Sequence, residues 1–261
     1  MNRLLLVDGH NLLFKAFYGV PEKILTNGRP VQGVIGFISI TVKIIRDMEP
    51  THILVVFDPE EQPSRAKLYS PYKQNRQDFG NKPDRENPFS QLMDIKRTLD
   101  SLGIKYTEKP GYEADDLIAS FATRSNGEVV IVSSDTDFLQ LVGKRISMFR
   151  YHWKKSVLFN EMMVQKRYGI HPSRFLEYKA LIGDKTDNID GIRGVGPKTA
   201  IKILNGMREL TAEEQKIFER NFRLIKLDTE VDLPYDMHEL SCNNKFEEFK
   251  VGKVLRSIGV L

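Results

Sequence analysis

The chain has 261 residues, of which 41% are hydrophobic and 28% charged, and its formal net charge is +4. This length permits one large domain or two small ones, and the composition is ordinary for a soluble globular protein. No apolar run approaches the roughly 20 residues of a membrane span, and the opening MNRLLLVDGHN turns acidic too early for a signal peptide. The single cysteine, Cys242, excludes an internal disulfide framework and favours the reducing cytoplasm.

In chain order, the sequence first predicts strands that alternate with helices. Apolar runs such as RLLLVDG and HILVVFD mark buried strands, and apolar residues at helical spacing mark helices. This alternation favours a parallel, doubly wound α/β sheet, in which ligands bind beyond the carboxyl ends of the strands. The predicted elements are a strand over 3–9, a helix over 31–48, a strand over 52–58, a helix over 87–103 closed by Gly103, a helix over 112–125, a strand over 128–135 and a strand pair over 145–150 and 156–160.

Two stretches break this alternation. Residues 59–88 are polar and rich in proline, so we expect a long excursion that is partly helical. Residues 172–205 have a helical, glycine-punctuated pattern that differs from the sheet. The tail after residue 206 mixes amphipathic helix with loop and indicates little about chemistry.

Carboxylates are concentrated at or just past the ends of the apolar runs. Acidic groups that crowd together repel each other, and burying them is unfavourable without a compensating charge. Hard divalent cations with oxygen ligands supply that charge, so the pattern predicts a magnesium or manganese site with two ions. The candidate ligands are Asp8, Asp58, Glu113, Asp115, Asp116, Asp135, Asp137, Asp184 and Asp187.

Each acidic segment has a simpler interpretation when it is taken alone. Glu113 and Asp116 lie three residues apart on one helical face, in a first turn where carboxylates also serve as caps. Asp135 and Asp137 suit a turn after a strand, and the segment around Asp184 suits a cap on the next helix. When these acidic segments are considered together with the strand-end aspartates, separate roles as caps and turns become hard to sustain.

The charge balance agrees with a polyanionic substrate. The chain has 39 basic and 35 acidic residues, and 26 acidic residues remain when the nine candidate ligands are set aside. A basic body around an acidic pit suits a substrate whose phosphate must reach bound metal. By charge alone, an ordinary, slightly basic enzyme is the favoured interpretation.

The segment GIRGVGPKTAIKIL predicts a hairpin followed by a helix. Gly194 and Gly196 allow close backbone approach, amides at the helix start can hold a phosphate, and Lys198 adds positive charge. The extended motif resembles the helix–hairpin–helix that grips the DNA backbone without reading its sequence. A plain turn between helices is the alternative.

A second basic segment, SRAKLYSPYKQNR, lies in the polar excursion. There basic side chains interleave with aromatic ones, and the residues are Arg65, Lys67, Tyr69, Tyr72, Lys73 and Arg76. Cations bind phosphates, and aromatic faces stack on unpaired bases. Such a loop is usually only a solvated surface, but beside a metal site we interpret it as a substrate clamp.

Together these motifs resemble the 5′-nuclease (flap endonuclease) family in its bacterial and phage branch, which includes the N-terminal domain of DNA polymerase I. The resemblance runs from VDGHNLLFKAFYG through FDPEEQPSRAKLYSPYKQNR, GYEADDLIA and VSSDTDFLQL to GDKTDNIDGIRGVGPKTA. It implies a stand-alone member with a PIN-like α/β fold, a helical arch over about 62–90 and a helix–three-turn–helix. The expected division is a nuclease core over 1–171 and a C-terminal region over 172–261, packed together as one unit.

The resemblance implies two divalent metals, each with its own carboxylates. Two such ions activate and orient a water and stabilise the leaving oxygen. Arch positions that match Lys73 and Arg76 steady the scissile phosphate. By this resemblance the first metal is held mainly by Asp8, Asp58, Glu113, Asp115 and Asp116, and the second by Asp135, Asp137, Asp184 and Asp187.

The resemblance also implies a potassium ion at the hairpin, bound by backbone carbonyls. By motif position these carbonyls belong to Leu181, Ile182, Asp190, Ile192 and Val195. The family usually has proline where this chain has Asp190. The substitution preserves a carbonyl ligand but changes the rigidity of the hairpin and the local charge.

We therefore interpret the chain as a metal-dependent, structure-specific 5′-3′ exonuclease and flap endonuclease. We expect a cytoplasmic monomer with no membrane partner, acting on DNA with a 5′ flap, a branch or a 5′-ended duplex. A non-catalytic DNA-binding paralogue is the first alternative, and the retention of Asp184 and Asp187 argues against it. A PIN-type ribonuclease of another class is the second, and the hairpin and arch argue against it.

Overall fold

A computed structural model describes residues 2–60, 65–242, 248–257 and 259–260. Residues 62–64 of the expected arch lie outside the described residues, as do 243–247, 258 and 261 of the C-terminal region. The strands are β1 (Arg3–Asp8), β2 (His52–Val56), β3 (Lys105–Thr107), β4 (Glu128–Val132), β5 (Ile146–Arg150), β6 (Val157–Phe159), β7 (Gly183–Asp184) and β8 (Ile189–Asp190). The α-helices are α1 (Gly9–Gly19), α2 (Gln32–Met48), α3 (Arg65–Leu68), α4 (Leu92–Leu102), α5 (Ala114–Arg124), α6 (Glu161–Tyr168), α7 (Phe175–Ile182), α8 (Pro197–Leu204), α9 (Ala212–Ile225) and α10 (Glu248–Ser257).

The central sheet has six strands in the order β3-β2-β1-β4-β5-β6. The first five are parallel to one another, and β6 pairs antiparallel with β5. Because β1 and β4 are central and covered on both sides, they consist almost wholly of apolar residues. The chain order reverses at β1, between β2 and β4, which is where open parallel sheets bind ligands at the carboxyl edge.

Both faces of the sheet are covered by apolar side chains. In β1, Leu4 and Leu6 point into one cluster, which includes residues of α5 and α7, whereas Leu5 and Val7 point into the other, which includes residues of α1, α2 and α4. The alternation follows from the two-residue period of a strand. The sheet is therefore a rigid support whose carboxyl edge is left for polar side chains.

The C-terminal part is helical around a small two-stranded sheet. β7 and β8 pair antiparallel, so that Asp184 lies opposite Ile189. The helix α7 packs closely on both α9 and α8. A small cluster of Ile189, Leu224 and Ile225 joins this part to Tyr72 of the polar excursion.

The described part of the excursion, residues 59–60 and 65–88, is partly helical, as predicted. It contains the four-residue α3, a run of turns and a 3₁₀ helix at Asp84–Glu86, and a second 3₁₀ helix, Pro88–Gln91, begins at its last residue. The rings of Phe79 and Phe89 meet each other at 5.7 Å and meet Phe14 of α1 at 5.5 and 5.4 Å. This aromatic group holds the excursion against the core.

Some predicted bounds differ from the structure, and some elements went unpredicted. The helix predicted over 87–103 starts as a 3₁₀ turn and becomes α-helical only at Leu92, although Gly103 closes it with a φ of 72°, as expected. Neither α1 nor β3 was predicted from the sequence. Among the described residues, no helix is both long and apolar enough to cross a membrane.

Candidate metal centre and nucleic-acid interface

Three aspartates meet at the carboxyl edge of the sheet. Asp8 is the last residue of β1, Asp58 follows β2 by two residues, and Asp135 follows β4 by three. Burial raises the pKa of Asp8 to about 6, and the negative charges of Asp58 and Asp135 add to that effect. These three aspartates therefore lie close enough for their charges to interact.

Hydrogen bonds fix the orientation of the first two aspartates. Asp8 caps α1 by accepting from the Asn11 amide at 3.0 Å, and it accepts from the Ser133 hydroxyl at 2.7 Å. Asp58 accepts from the Ala114 amide at 2.8 Å, and its second oxygen lies 3.1 Å from His10 Nδ1. Burial alone would raise the pKa of Asp58. These contacts, of which that with His10 has the largest effect, lower it to about 2.

The acids at the start of α5 divide between two environments. Burial and the charge of Asp135 raise the pKa of Asp115 well above its usual range, so Asp115 belongs with the strand-end aspartates. Glu113 and Asp116 instead accept from the guanidinium of Arg65, at 2.5 Å each. Against the effect of burial, the cations of Lys73 and Arg65 lower the pKa of Glu113.

A second acidic group lies next to the first. Asp137, Asp184 and Asp187 are all buried, and each offers a carboxylate oxygen within 4.8 Å of the others. Asp135 links the groups, because it accepts from the Asp137 amide at 2.8 Å and its charge raises the pKa of Asp115, Asp137 and Asp187. Carboxylates at this spacing can share a divalent cation.

Lys179 of α7 lies inside the second group, and the sequence analysis missed it. Its ammonium is 2.5 Å from Asp137 Oδ1 and also contacts Asp184. Although burial opposes it, these two carboxylates raise the pKa of Lys179, and the cation lowers that of Asp184. Burial still raises the pKa of Asp137 to about 7. A lysine five residues before a candidate aspartate gave no sequence signal of this role.

The basic residues predicted in the excursion lie directly over the acids. Besides the Arg65 pairs, Lys73 Nζ contacts Glu113 and lies 3.8 Å from Asp187, and Arg76 donates to Asp187 at 2.9 Å. Tyr72 is buried, and its hydroxyl donates to Glu113 at 2.9 Å. In this conformation Arg76 is more exposed than Arg65 and Lys73, with 51% of its side chain accessible.

Backbone hydrogen bonds dock the turn at 71–76 on the loop at 184–188. The Lys73 amide donates to the Asp187 carbonyl at 2.9 Å, and the Asn188 side chain donates to the Pro71 carbonyl at 2.7 Å. Lys73 and Asn188 both adopt left-handed backbone conformations, with φ of 56° and 58°. The excursion and the second acidic group are therefore positioned by each other.

The predicted hairpin lies on the surface immediately before α8. Gly194 has a φ of 79°, and a Cβ at Gly194 or Gly196 would meet no atom within 4 Å. Lys198 lies exposed in the first turn of α8. The start of α8 has no side-chain cap, and the space beside these glycines is open to an approaching phosphate.

The five carbonyls proposed for potassium lie around the same hairpin, and several already accept hydrogen bonds. The Leu181 carbonyl accepts from the Ile192 amide, and the Ile192 carbonyl accepts from the Val195 amide, each at 2.9 Å. The Asp190 carbonyl accepts from Arg220 and Asn221, at 3.1 and 2.9 Å. Both of its lone pairs are engaged in this conformation.

A cavity of about 1000 Å³ opens beside the acids, between the excursion and the core. Its wall includes Asp58 and Lys73 from the acidic site and the rings of Phe79, Phe89 and Tyr112. Such a cleft offers cations next to carboxylates and aromatic faces farther out. This combination suits a phosphate-bearing chain with flat, apolar groups.

Two known family domains together match most of the chain. The 5′-3′ exonuclease N-terminal resolvase-like domain matches residues 3–169, and the 5′-3′ exonuclease C-terminal SAM fold matches residues 170–217. The chain belongs to the 5′-3′ exonuclease family. The resemblance inferred from the motifs is confirmed.

Individual relatives of this exonuclease family agree. The chain is 31% identical to a 5′-3′ exonuclease of Aquifex aeolicus (strain VF5), and the match covers 99% of this chain and 96% of that protein. It is 37% identical to the thermostable DNA polymerase I of Thermus filiformis, over 77% of this chain but only 23% of the polymerase. As a member of the family, the protein is a nuclease that hydrolyses phosphodiester bonds.

Solved structures support the exonuclease fold. The T5 5′-exonuclease with bound zinc ions has a TM-score of 0.71 at 20% identity, over 98% of both chains. The bacteriophage T5 flap endonuclease in complex with DNA and metal ions has a TM-score of 0.70 at 18% identity, over 98% of both chains. The predicted α/β fold class, with a parallel sheet and flanking helices, is confirmed.

Proposed function

We propose that this nuclease cleaves DNA at 5′ flaps and 5′ ends by two-metal catalysis. The observation that carries the proposal is the burial of Asp137, Asp184 and Asp187 with carboxylate oxygens within 4.8 Å of one another, next to the aspartates that follow β1, β2 and β4. All the donors are hard oxygens, which suit Mg²⁺ or Mn²⁺. The first group would be Asp8, Asp58, Glu113, Asp115 and Asp116, and the second Asp135, Asp137, Asp184 and Asp187.

The protein side of this mechanism consists of placement and charge. When bound, the two ions would supply an activated water and stabilise the leaving oxygen. His10, Ser133 and the Ala114 amide hold the Asp58 and Asp8 carboxylates in fixed orientations. Lys73, which contacts Glu113, and Arg76, which donates to Asp187, would hold the scissile phosphate once those carboxylates serve as metal ligands.

The hairpin would hold the duplex part of the substrate. The uncapped start of α8 beside Gly194 and Gly196, with Lys198, suits phosphates of any sequence, so the preference for a flap would come from DNA shape. A potassium ion on the carbonyls of Leu181, Ile182, Asp190, Ile192 and Val195 would stiffen the hairpin, and Asp190 would then exchange one hydrogen bond for the ion. The T5 flap endonuclease complex with DNA supports this substrate class. We propose a monomer that acts in the cytoplasm, for which the single, half-buried Cys242 is suited.

The test is product mapping on a labelled 5′-flap DNA with Mg²⁺ and with Mn²⁺. Asp135→Asn and Asp187→Asn should lower turnover by roughly 10²-fold or more, since each removes an ionised ligand. DNA affinity should stay or rise, because negative charge near the phosphates is reduced. Asp47→Asn, on the exposed face of α2, is the matched control and should keep full turnover.

Two results would redirect the assignment. A wild-type protein that binds the flap but cleaves no DNA with either metal would be a non-catalytic paralogue. Faster cleavage of single-stranded RNA than of flap DNA would indicate a ribonuclease.

A further inference from the structure

Arg220 of α9 joins two parts of the molecule that are far apart in the sequence. Its guanidinium carbon lies 4.6 Å from the centroid of the Tyr69 ring, which belongs to the excursion. Its Nη2 also donates to the carbonyl of Asp190, in β8, at 3.1 Å. A guanidinium is flat, so its face can stack on an aromatic ring while the hydrogens at its edge are donated. Arg220 makes both contacts at once.

A buried amide fixes the orientation of Arg220. The Oδ1 of Asn221 accepts from Arg220 Nε at 3.1 Å and from Nη2 at 2.9 Å. The Nδ2 of the same amide donates to the carbonyls of Ala180 and Asp190, each at 2.9 Å. Asn221 is fully buried, and both ends of its amide are paired. The guanidinium is therefore anchored to α7 and β8 on the side away from Tyr69.

The Tyr69 end of this connection leads to the acids. The Tyr69 carbonyl accepts from the Tyr72 amide at 2.9 Å, and Tyr69 packs against the small cluster that contains the Tyr72 ring. Tyr72 donates to Glu113, and Lys73 comes next in the chain with its ammonium on the same carboxylate. A shift of Tyr69 would therefore move the turn that places Lys73 over the candidate metal centre.

The Asp190 end leads to the hairpin. Asp190 is the last residue of β8, and the chain runs directly from it into the segment that holds Gly194 and Gly196. The hydrogen bonds that dock the turn at 71–76 are made to the loop at 184–188. Arg220 adds a contact at the base of the hairpin itself.

We propose that Arg220 is a positioning residue for cleavage. It holds the turn at 69–73 against the base of the hairpin, so that Lys73 meets the scissile phosphate when the hairpin holds the duplex. The inference rests on the proposed function. It adds a residue whose described contacts include none of the nine candidate metal ligands, so that its action passes through Tyr69 and Lys73.

The experiment compares two quantities in the full chain. The single-turnover rate on saturating 5′-flap DNA in Mg²⁺ measures cleavage of bound substrate, and binding of the same DNA in Ca²⁺ measures affinity without cleavage. The variants are Arg220→Met, Arg220→Lys, Tyr69→Leu and Tyr69→Phe. Arg223→Met is the matched control, because Arg223 lies exposed about one turn farther along α9.

We expect Arg220→Met and Tyr69→Leu to lower the single-turnover rate by about 10-fold, because a small displacement of a positioned group is costly for the chemical step. Affinity and its salt dependence should change little. Arg220→Lys keeps the charge but not the flat face, so it should remain at least about 3-fold slower than the wild type. Tyr69→Phe and Arg223→Met should keep the wild-type rate.

Double variants separate positioning from a general loss of stability. Residues that act as one unit have effects that do not add. Arg220→Met should therefore cost little further rate once Tyr69→Leu is present, and little once Lys73→Ala is present. A residue that merely stabilised the fold would lower the melting temperature and leave the rate of the folded, saturated complex unchanged.

Three results would overturn the proposal: a wild-type rate in folded Arg220→Met, full recovery of the rate in Arg220→Lys, or an undiminished loss from Arg220→Met in the Lys73→Ala background. A loss of affinity with a salt dependence flatter by about one phosphate contact would also overturn it, since Arg220 would then be a DNA contact.

If Arg220→Met does not fold, Arg220→Lys and Tyr69→Leu carry the same test. Failure of the proposed function is a separate result, since it would appear as absent flap cleavage by the wild type.

Discussion

Lys179 contributes a positive charge where two ligands of the proposed second metal meet. Removing it would leave Asp137 and Asp184 buried without their counter-charge. In EDTA, Lys179→Met should lower the free energy of unfolding by about 3 kcal/mol, the usual loss when one member of a buried pair is removed. In saturating Mg²⁺ the loss should be smaller, because the divalent ion replaces the missing charge.

Urea unfolding with EDTA and with Mg²⁺ measures both values. Lys166→Met, an exposed lysine on α6, is the control and should change stability by less than about 0.5 kcal/mol. An equal loss with and without Mg²⁺ would show that Lys179 acts by packing rather than by charge.

Lys73 allows a prediction about catalysis at the same scale. Its ammonium lies next to Glu113 and Asp187, so it is placed at the point where the scissile phosphate would enter. Lys73→Ala should lower single-turnover cleavage of bound flap DNA by roughly 10²-fold, a typical loss for a positioned electrostatic stabiliser. Affinity should change much less. If affinity collapsed while the single-turnover rate held, Lys73 would be a binding residue only.

Two glycines between α7 and α8 have different roles. We expect Gly191 to be required for folding and Gly196 to be required for DNA binding. A Cβ at Gly191 would lie 2.2 Å from the Ile182 carbonyl oxygen, so Gly191→Ala should destabilise the protein. Gly196 has a φ of −93° and open space around its missing Cβ, so Gly196→Val should fold normally. The added side chain should nevertheless obstruct the phosphate backbone, and binding to every duplex-containing flap should weaken.

Thermal melting and affinity on flaps of different sequence separate these two effects. Lys198→Ala is a useful companion, because it should reduce the salt dependence of binding by about one phosphate contact. Unchanged flap affinity in a folded Gly196→Val protein would exclude the hairpin from the duplex-binding surface.

Elements with a repeated apolar pattern could be predicted from the sequence, and short or capped ones could not. β1, β2 and β4 are continuous apolar runs, and the aspartates that follow them identified the site edge. β3 has only three residues and exists because β2 offers it a partner. α1 was not predicted because it begins directly after the strongly apolar strand β1. Its signals were nevertheless present: Asp8 caps it, and Leu12, Leu13 and Ala16 are spaced as on a buried helical face.

The charges that neutralise the acids could not be predicted, since they depend on tertiary contacts. Arg65 and Lys73 were identified by their basic segment as contacts for substrate. Nothing in that segment indicates that they pair with Glu113 in this conformation. No sequence pattern marks the roles of His10 and Lys179, because each pairs with a carboxylate from another part of the fold. The partner of His10 is Asp58, and that of Lys179 is Asp137.

For the whole molecule, the acid cluster predicts how stability depends on pH. Burial raises the pKa of Asp8 to about 6 and that of Asp137 to about 7, above the ordinary value of 3.8. Between about pH 4 and pH 7 the native state therefore binds more protons than the unfolded state, and stability falls as pH rises. The two groups together should contribute a few kcal/mol, which are fully present below about pH 4.

Divalent metal should reverse this slope, because it binds the deprotonated carboxylates. Melting temperatures from pH 5 to 8, in EDTA and in Mg²⁺, check both trends. Asp137→Asn should flatten the EDTA curve and remove most of the Mg²⁺ stabilisation. A metal-free protein that became steadily more stable from pH 5 to 7 would contradict the raised pKa values.

The hydrogen bond from the Lys73 amide to the Asp187 carbonyl joins two distant parts of the chain. That amide can exchange its proton for deuterium only when the excursion lifts from the loop at 184–188. Exchange at this one amide therefore reports how readily the whole cleft opens. NMR detection of exchange at the Lys73 amide, in free protein, with metal and with DNA, would measure the free energy of the opening through which a bound strand must enter and leave.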